Sequence, residues 1–238
     1  CKYETIYQYV DTASNKTTTY INKIINGNNK AIEYTYNNMG NIETIKIDED
    51  IVNYYYYDQS NRLVRENNKQ INKTITYTYD SNGNILNKKE YEYTIDESLA
   101  NKTITNTITY EYENQNYKDQ LTSYNGRLIT YDEIGNPTWY NEKELIWQNG
   151  RQLRDFNDWE NKPSITYNYY ENGIRTHKRV NGYEVTNYYL DGTNVIYEQT
   201  GNNIIYYTYD SNDNILGLNY NGTQYYYIKN AQNDVIGN

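Results

Sequence analysis

A motif that returns about every 20 residues constrains the fold of this chain more than any other sequence feature. Residues 77–86 read Tyr-Thr-Tyr-Asp-Ser-Asn-Gly-Asn-Ile-Leu and return at 207–216 with one change, from Gly83 to Asp213. The second tyrosine of the motif recurs at positions 36, 57, 79, 112, 131, 169, 189, 209 and 227. Self-similarity at such a short period is typical of repeat proteins, in which each unit packs against its neighbours.

Two longer intervals predict where the array is interrupted. The interval from 79 to 112 places a longer hairpin insertion near residues 90–102. The interval from 131 to 169 spans two periods and contains a degenerate, tryptophan-containing unit near residues 139–159. We therefore expect about ten units in a single array over residues 1–238, because no shift in composition marks a domain boundary.

Each unit has the sequence pattern of a β-hairpin. In 103–112 isoleucine and tyrosine alternate with threonine and glutamate, a period of two that puts the two sets on opposite faces of a strand. Asn-Gly pairs, which accept the positive φ angles of tight hairpin turns, recur along the chain, as at Asn82-Gly83 and Asn149-Gly150. The sequence predicts an all-β fold of antiparallel hairpin repeats that form a curved, spiralling sheet or part of a hollow shell.

Composition excludes several classes of function. The net charge of -9 argues against nucleic-acid and anionic-membrane binding, which require clusters of lysine and arginine. The chain has a single cysteine, so neither an intrachain disulfide nor a thiolate metal cluster can form. Its 34 tyrosines, together with many isoleucines and threonines, argue for a folded β protein rather than disorder.

The two ends suggest a piece of a longer polypeptide. The only methionine is Met39, and the last residues break off within the repeated pattern, so we expect sequence beyond Asn238. Cys1 is a candidate for the lipidated cysteine of a bacterial lipoprotein, although a cleavage or fragment boundary explains it more simply.

The repeated motif resembles the YD repeats of bacterial Rhs proteins, the Tc toxin C components and teneurins. The resemblance rests on Tyr77–Ile85, Tyr131–Pro137 and Tyr207–Ile215, and the run Tyr225–Gly237 resembles the start of the conserved Rhs core ending. It implies a β-sheet strip that spirals into a hollow shell around a toxin or another C-terminal polypeptide. Ten units are too few to close such a shell, so we expect an arc or a part of one.

The resemblance also implies which residues define the repeat. They are the motif tyrosines and the Asp, Gly and Asn positions that follow them: Tyr36, Gly40, Asn41, Tyr57, Asp58, Tyr79, Asp80, Gly83, Asn84, Tyr131, Asp132, Gly135, Asn136, Tyr169, Gly173, Tyr189, Asp191, Tyr209, Asp210, Asn214 and Tyr227. We expect them to have a structural role, with neither catalytic residues nor a cofactor in the chain.

Other candidate sites have simpler structural explanations. Asp80–Asn84 resembles half of a Ca²⁺ loop but lacks the bidentate glutamate, which favours a turn in which Asp80 bonds its own backbone. His177 stands among three cations, and the sequence gives no nucleophile and carboxylate at the fixed geometry of a triad, which favours a solvated strand residue. Asp155, Asp158 and Glu160 could be paired glycosidase carboxylates, but acidic residues are expected in a connector of an acidic protein.

The three tryptophans leave two interpretations open. Trp139, Trp147 and Trp159 lie within about twenty residues of one another and could form a sugar-stacking platform or fill a wider part of the core. The core interpretation is favoured.

The predicted function is that of a non-enzymatic shell segment, with the remainder of its own polypeptide and a C-terminal toxin or cargo as partners. Two alternatives are a cell-surface carbohydrate-binding or adhesive module and an extracellular structural protein that forms fibres or tubes through open sheet edges. The Gly-Trp step of choline-binding repeats is absent from the chain, which weakens the first alternative. We expect a secreted or cell-surface bacterial protein, with cytoplasmic storage before export as a further option.

Overall fold

The computed structural model describes residues 4–11, 17–27 and 30–237, and Cys1 lies outside these ranges. Across them the chain forms strands and turns with no helix, and hence no helix that could cross a membrane. The chain divides into two compact units, which are larger than the repeat units of about 20 residues. One comprises residues 1–120 with 229–234, and the other comprises residues 121–228 with 235–238. The organisation as a single array stays a prediction.

The first unit contains nine strands, and each is the antiparallel neighbour of the next along the chain. They are β1 (Ile6–Asp11), β2 (Thr17–Ile25), β3 (Ala31–Tyr36), β4 (Ile42–Ile47), β5 (Asp50–Tyr57), β6 (Leu63–Asn68), β7 (Lys73–Tyr79), β8 (Ile85–Glu92) and β9 (Ile104–Glu111). Chain order and spatial order coincide, as expected when each hairpin is followed directly by the next.

The second unit repeats this arrangement. It contains a short hairpin of β10 (Ser123–Tyr124) and β11 (Arg127–Leu128) and an eleven-stranded sheet, β12–β22. The strands of this sheet are β12 (Thr130–Tyr131), β13 (Pro137–Tyr140), β14 (Lys143–Gln148), β15 (Gln152–Asp158), β16 (Ser164–Tyr169), β17 (Arg175–Val180), β18 (Glu184–Asp191), β19 (Asn194–Thr200), β20 (Asn203–Tyr209), β21 (Ile215–Tyr220) and β22 (Thr223–Tyr226). A last pair, β23 (Ile228–Lys229) and β24 (Val235–Gly237), follows them.

The predicted all-β class and antiparallel hairpin organisation are confirmed. Alternation is visible in β9, where Ile108 and Tyr110 are half-buried while Thr107 and Thr109, on the opposite face, are exposed. The most buried cluster of the first unit is small: Ile24, Ile32 and Tyr34. Ala231 joins this cluster, and its N–H donates to the Tyr34 hydroxyl at 3.1 Å.

The interruption predicted near 90–102 is the connection from β8 to β9, residues 93–103. It folds onto the sheet instead of continuing as paired strands. The Arg65 guanidinium donates to the carbonyls of Thr94 and Glu97 at 3.2 and 3.1 Å, and the Thr74 hydroxyl bonds the Thr94 backbone at 3.0 Å. Thr74 is therefore fully buried although its strand alternates.

Candidate functional site

The turn after Tyr79 shows how the repeated Asp and Asn residues act. The Asp80 N–H donates to the Asn84 carbonyl at 2.9 Å, and one Asp80 carboxylate oxygen accepts from the N–H groups of Asn82 and Asn84, both at 2.8 Å. The other oxygen accepts from the Asn84 side-chain amide at 2.9 Å, and this bond is the main reason why the pKa of Asp80 lies below its ordinary value. The carboxylate thus satisfies its own turn.

Glycine at the fourth position of this turn follows from backbone geometry. Gly83 has a φ angle of 93° and donates its N–H to the Asp80 carbonyl at 3.3 Å. A residue with a Cβ is disfavoured at this angle, which is why Gly, Asn or Asp occupies the position. The same main-chain turn recurs in six further copies, which begin at Asn37, Asp58, Asp132, Tyr170, Asp210 and Asn230. Tyr170 has no carboxylate to offer, and in its turn the Asn172 side-chain oxygen accepts from the Ile174 N–H at 3.2 Å.

The motif tyrosines connect each unit to the unit before it. In six of them the hydroxyl donates to the backbone carbonyl of a residue 10 to 16 positions earlier in the chain, at 2.6 to 2.8 Å. The pairs are Tyr36 with Ile21, Tyr57 with Ile42, Tyr79 with Leu63, Tyr131 with Leu121, Tyr169 with Leu153, and Tyr209 with Val195. We call these six bonds the tyrosine staples.

Consecutive staples are linked to one another because the six stapling tyrosines lie at β-bulges. Tyr57 is opposite Leu63 across such a bulge, and the Leu63 carbonyl accepts the hydroxyl of Tyr79. Tyr79 is in turn opposite Ile85. A bulge interrupts the strand ladder, and the tyrosine of the next unit satisfies a carbonyl beside it. Burial raises the pKa of Tyr57 and Tyr79 above the ordinary value, which keeps both hydroxyls protonated as donors.

Trp147 forms the equivalent contact in the degenerate unit. Its indole N–H donates to the Pro137 carbonyl at 2.7 Å, and Pro137 is the residue opposite Tyr131 across that bulge. Trp147 itself lies at a bulge opposite Leu153, whose carbonyl accepts the staple from Tyr169. The tryptophan thus takes the tyrosine's place, although sequence comparison finds no tyrosine to align there.

Polar side chains link successive turns as well. The Asn41 amide donates to Asn61 at 2.6 Å, and the Asn136 amide donates to the Gly150 carbonyl at 2.7 Å. Arg62 pairs with Asp58 at 2.7 Å, donates to the Asp80 carbonyl at 3.0 Å and lies 4.7 Å from the Tyr79 ring centroid. One side chain therefore joins two consecutive turns.

The motif residues near positions 190 and 227 are arranged differently. Asp191 ends β18 opposite Asn194, and the two strands are joined by a two-residue turn with Gly192 at a φ angle of 59°. Tyr189 packs its ring against Tyr197, with 4.5 Å between centroids. The Tyr227 N–H donates to the Leu216 carbonyl at 3.0 Å.

The first tyrosine of each Tyr-x-Tyr pair is a second recurring feature, which sequence reasoning did not separate from the motif tyrosine. Burial, followed by the charge of Glu66, raises the pKa of Tyr55 and of Tyr77 to about 12. In the second unit burial and Glu198 raise the pKa of Tyr207 in the same way. A glutamate beside half-buried tyrosines thus occurs in both compact units.

The other sequence candidates do not assemble into a reactive site. His177 contacts the Asn168 side chain at 2.6 Å from the adjacent strand. Asp155 pairs with Arg154 at 2.7 Å, and the Asp158 carboxylate accepts from the N–H groups of Glu160 and Asn161. No group of three His, Cys, Asp or Glu side chains suited to a metal ion occurs in the part of the chain that the structure describes.

The tryptophans separate into two kinds. Trp139 and Trp147 are half-buried, in line with the core interpretation. That interpretation is wrong for Trp159, whose side chain is 60% exposed. The turn that begins at Asp158 carries it away from the sheet.

The sheets, bulges and staples define a class of protein, an antiparallel β-hairpin repeat array joined by aromatic hydrogen bonds. No protein-family model matches the chain. Three curated relatives match part of the chain. The tRNA3(Ser)-specific nuclease WapA of Bacillus spizizenii is 37% identical over 61% of this chain, and the tRNA nuclease WapA of Bacillus subtilis is 35% identical over 61%. The tRNA(Glu)-specific nuclease WapA of B. subtilis subsp. natto is 37% identical over 51%. The chain spans only 5–7% of the length of these relatives.

Solved structures match over nearly the whole chain. The crystal structure of TcdB2-TccC3 aligns with 98% of it at a TM-score of 0.59 and 15% identity, and the chain covers 14% of that structure. The Photorhabdus luminescens Tc holotoxin pore aligns with 97% at a TM-score of 0.54 and 15% identity, with 15% of that chain covered. The expected resemblance is confirmed: the chain has the fold of these Tc toxin structures and is similar in sequence to the WapA proteins.

Proposed function

We propose that this chain is a non-enzymatic wall segment of an Rhs/YD-repeat shell that encloses a C-terminal toxin or another cargo polypeptide. The observation that carries the proposal is the relay of staples and turns, which recurs in both units and uses side chains for connecting strands rather than for chemistry. The fold match to TcdB2-TccC3 over 98% of the chain supports it.

The relatives are consistent with this division of labour. They are named tRNA nucleases, and the chain matches 7% or less of each. We propose that nuclease activity belongs to other parts of such proteins and that this chain contributes neither catalytic residues nor a cofactor site. On this proposal its partners are the remainder of its own polypeptide and the enclosed cargo, and the whole protein is secreted or displayed at the cell surface.

The motif residues have a defined role in the proposal. The tyrosines and the turn-forming Asp, Gly and Asn positions determine the repeat, including the divergent residues Tyr189, Asp191 and Tyr227. They hold the wall together so that no extensive hydrophobic core is required, because each unit is fixed to its neighbours by hydrogen bonds at bulges and turns.

Protease protection of the cargo tests the proposal. The natural reading frame that contains this chain is expressed together with whatever follows it, and the downstream polypeptide is followed during limited proteolysis. We expect protection in the wild type and faster cleavage when three staples are removed together by Tyr57→Phe, Tyr79→Phe and Tyr209→Phe. Tyr183→Phe, at a 78% exposed turn position, is the matched control. A downstream polypeptide that is cleaved as fast in the wild type as when expressed alone would overturn the proposal.

A further inference from the structure

The turn after β15 is a rigid platform. The Asp158 N–H donates to the Pro163 carbonyl at 3.0 Å, and the Lys162 N–H donates to the Asp158 carbonyl at 2.7 Å. Asp158 is only 7% exposed. Its carboxylate accepts from the main-chain N–H groups of Glu160 and Asn161 and, at 3.1 Å, from the Asn161 side-chain amide. The loop therefore has a fixed shape before any ligand arrives.

This platform presents Trp159 to solvent. The main-chain N–H of Trp159 donates to the Glu142 carbonyl at 3.0 Å. This bond anchors the residue, while Trp159 remains 60% exposed. An exposed indole offers a ligand both a broad apolar face and a polar N–H. The staple of this unit is made by Trp147, so the repeat architecture gives Trp159 no role.

A row of polar side chains runs beside the indole across three adjacent strands. Glu144, Asn157 and Ser164 are opposite one another in register. The Ser164 hydroxyl donates to the Asn157 side-chain oxygen at 2.9 Å, and the Asn157 amide donates to a Glu144 carboxylate oxygen at 3.0 Å. These bonds hold the row in place and orient the Glu144 carboxylate as an acceptor.

The indole and the polar row line one cleft. Its volume is about 470 Å³, and Pro163 and Lys162 complete its wall. Pockets for small ligands commonly measure about 300–1,000 Å³ and combine apolar rings with a few polar groups that fix orientation. The charges around the cleft alternate in sign: Glu144 and Asp158 against Lys162 and Lys143, with the Lys143 amine 3.6 Å from the Asp158 carboxylate. This balance favours a neutral ligand over an anion or a cation.

We propose that the Trp159 cleft binds a neutral saccharide. A pyranose ring has an apolar face of C–H groups that stacks on an indole, and a rim of hydroxyls that suits an oriented carboxylate, an amide and an ammonium group. The proposal is independent of cargo enclosure, since the cleft lies within one unit and uses no staple. It gives the shell wall a means of contacting glycans.

Calorimetric titration of the purified chain with chitotriose, maltotriose and cellotriose tests the proposal. We expect saturable binding of at least one sugar, a loss of affinity of tenfold or more in Trp159→Ala, and a severalfold loss in Glu144→Gln. Trp159→Tyr retains an aromatic ring and is expected to retain part of the affinity. Tyr183→Ala removes an even more exposed aromatic ring elsewhere and should leave the affinity unchanged.

Two results would overturn the saccharide site. One is flat titrations of the wild type with all three sugars. The other is binding that Trp159→Ala leaves unchanged, with circular dichroism showing that the variant retains its β structure. Neither result bears on protease protection of a cargo, so the two proposals fail separately.

Discussion

Tyr79 and Trp147 occupy the same position in two units whose turns differ in almost every other respect. After Tyr79 the chain forms a five-residue turn organised by the Asp80 carboxylate. After Trp147 it turns through Asn149 and Gly150, both at positive φ, with no carboxylate. Yet each aromatic ring lies at a bulge and donates to a carbonyl of the preceding unit, at 2.6 and 2.7 Å. The ring donor is thus the constant feature, and the turn chemistry is variable.

This comparison explains why the repeat tolerates divergence. An unpaired carbonyl beside a bulge is costly if it is shielded from water, whereas a turn can be closed by several combinations of residues. Tyrosine and tryptophan both combine a large aromatic ring with a hydrogen-bond donor, whereas phenylalanine has the ring without the donor. We therefore expect Phe to be the substitution that best separates the bond from the ring.

The largest effect is expected at the degenerate unit. Trp147→Ala removes both a half-buried ring and its hydrogen bond, which should lower the free energy of unfolding by about 3 kcal/mol. Trp147→Phe keeps most of the ring and should cost about 1–2 kcal/mol through the unpaired Pro137 carbonyl. Urea unfolding of the purified chain measures both values. If Trp147→Phe proves as stable as the wild type, the indole bond is not a staple.

A regular staple should respond by a smaller amount. Tyr79→Phe leaves the Leu63 carbonyl without its donor and is expected to cost about 1 kcal/mol. Hydrogen exchange at the amides of β6 and β7 should quicken locally, because the bond joins adjacent units. Tyr183→Phe, which removes an exposed hydroxyl, is the control and should change neither quantity. Equal effects in the two variants would contradict the role of the staples.

The sequence predicted the architecture but not all of its parts. Hairpins and bulged turns are encoded locally by alternating residues and by Asp-x-x-Gly-Asn, so their existence and order could be read directly. Trp147 was recognised only as degenerate, since its equivalence to tyrosine depends on where its indole N–H reaches. The docking of residues 93–103 onto Arg65 and the exposure of Trp159 depend on contacts between strands, which no local pattern encodes.

The smallest expected effect separates a turn that is organised by a carboxylate, after Tyr79, from one that is not, after Tyr169. The pKa of Asp80 is held below its ordinary value of 3.8, so the turn's contribution to stability is present above that pH and is lost as the pH falls through the folded-state pKa. Protection of the Asn82 and Asn84 amides against hydrogen exchange should therefore decrease under acid conditions. The Gly173 amide, bonded to the Tyr170 carbonyl at 2.9 Å, should keep its protection because no carboxylate organises that turn.

Asp80→Asn provides the matched variant for this comparison. An asparagine side-chain oxygen still accepts from the two backbone N–H groups, as in the turn that begins at Asn37, but it has no proton to gain. We expect the acid-dependent loss of protection at Asn82 and Asn84 to disappear in this variant. If the loss persists, the acid sensitivity comes from elsewhere in the sheet and not from the Asp80 carboxylate.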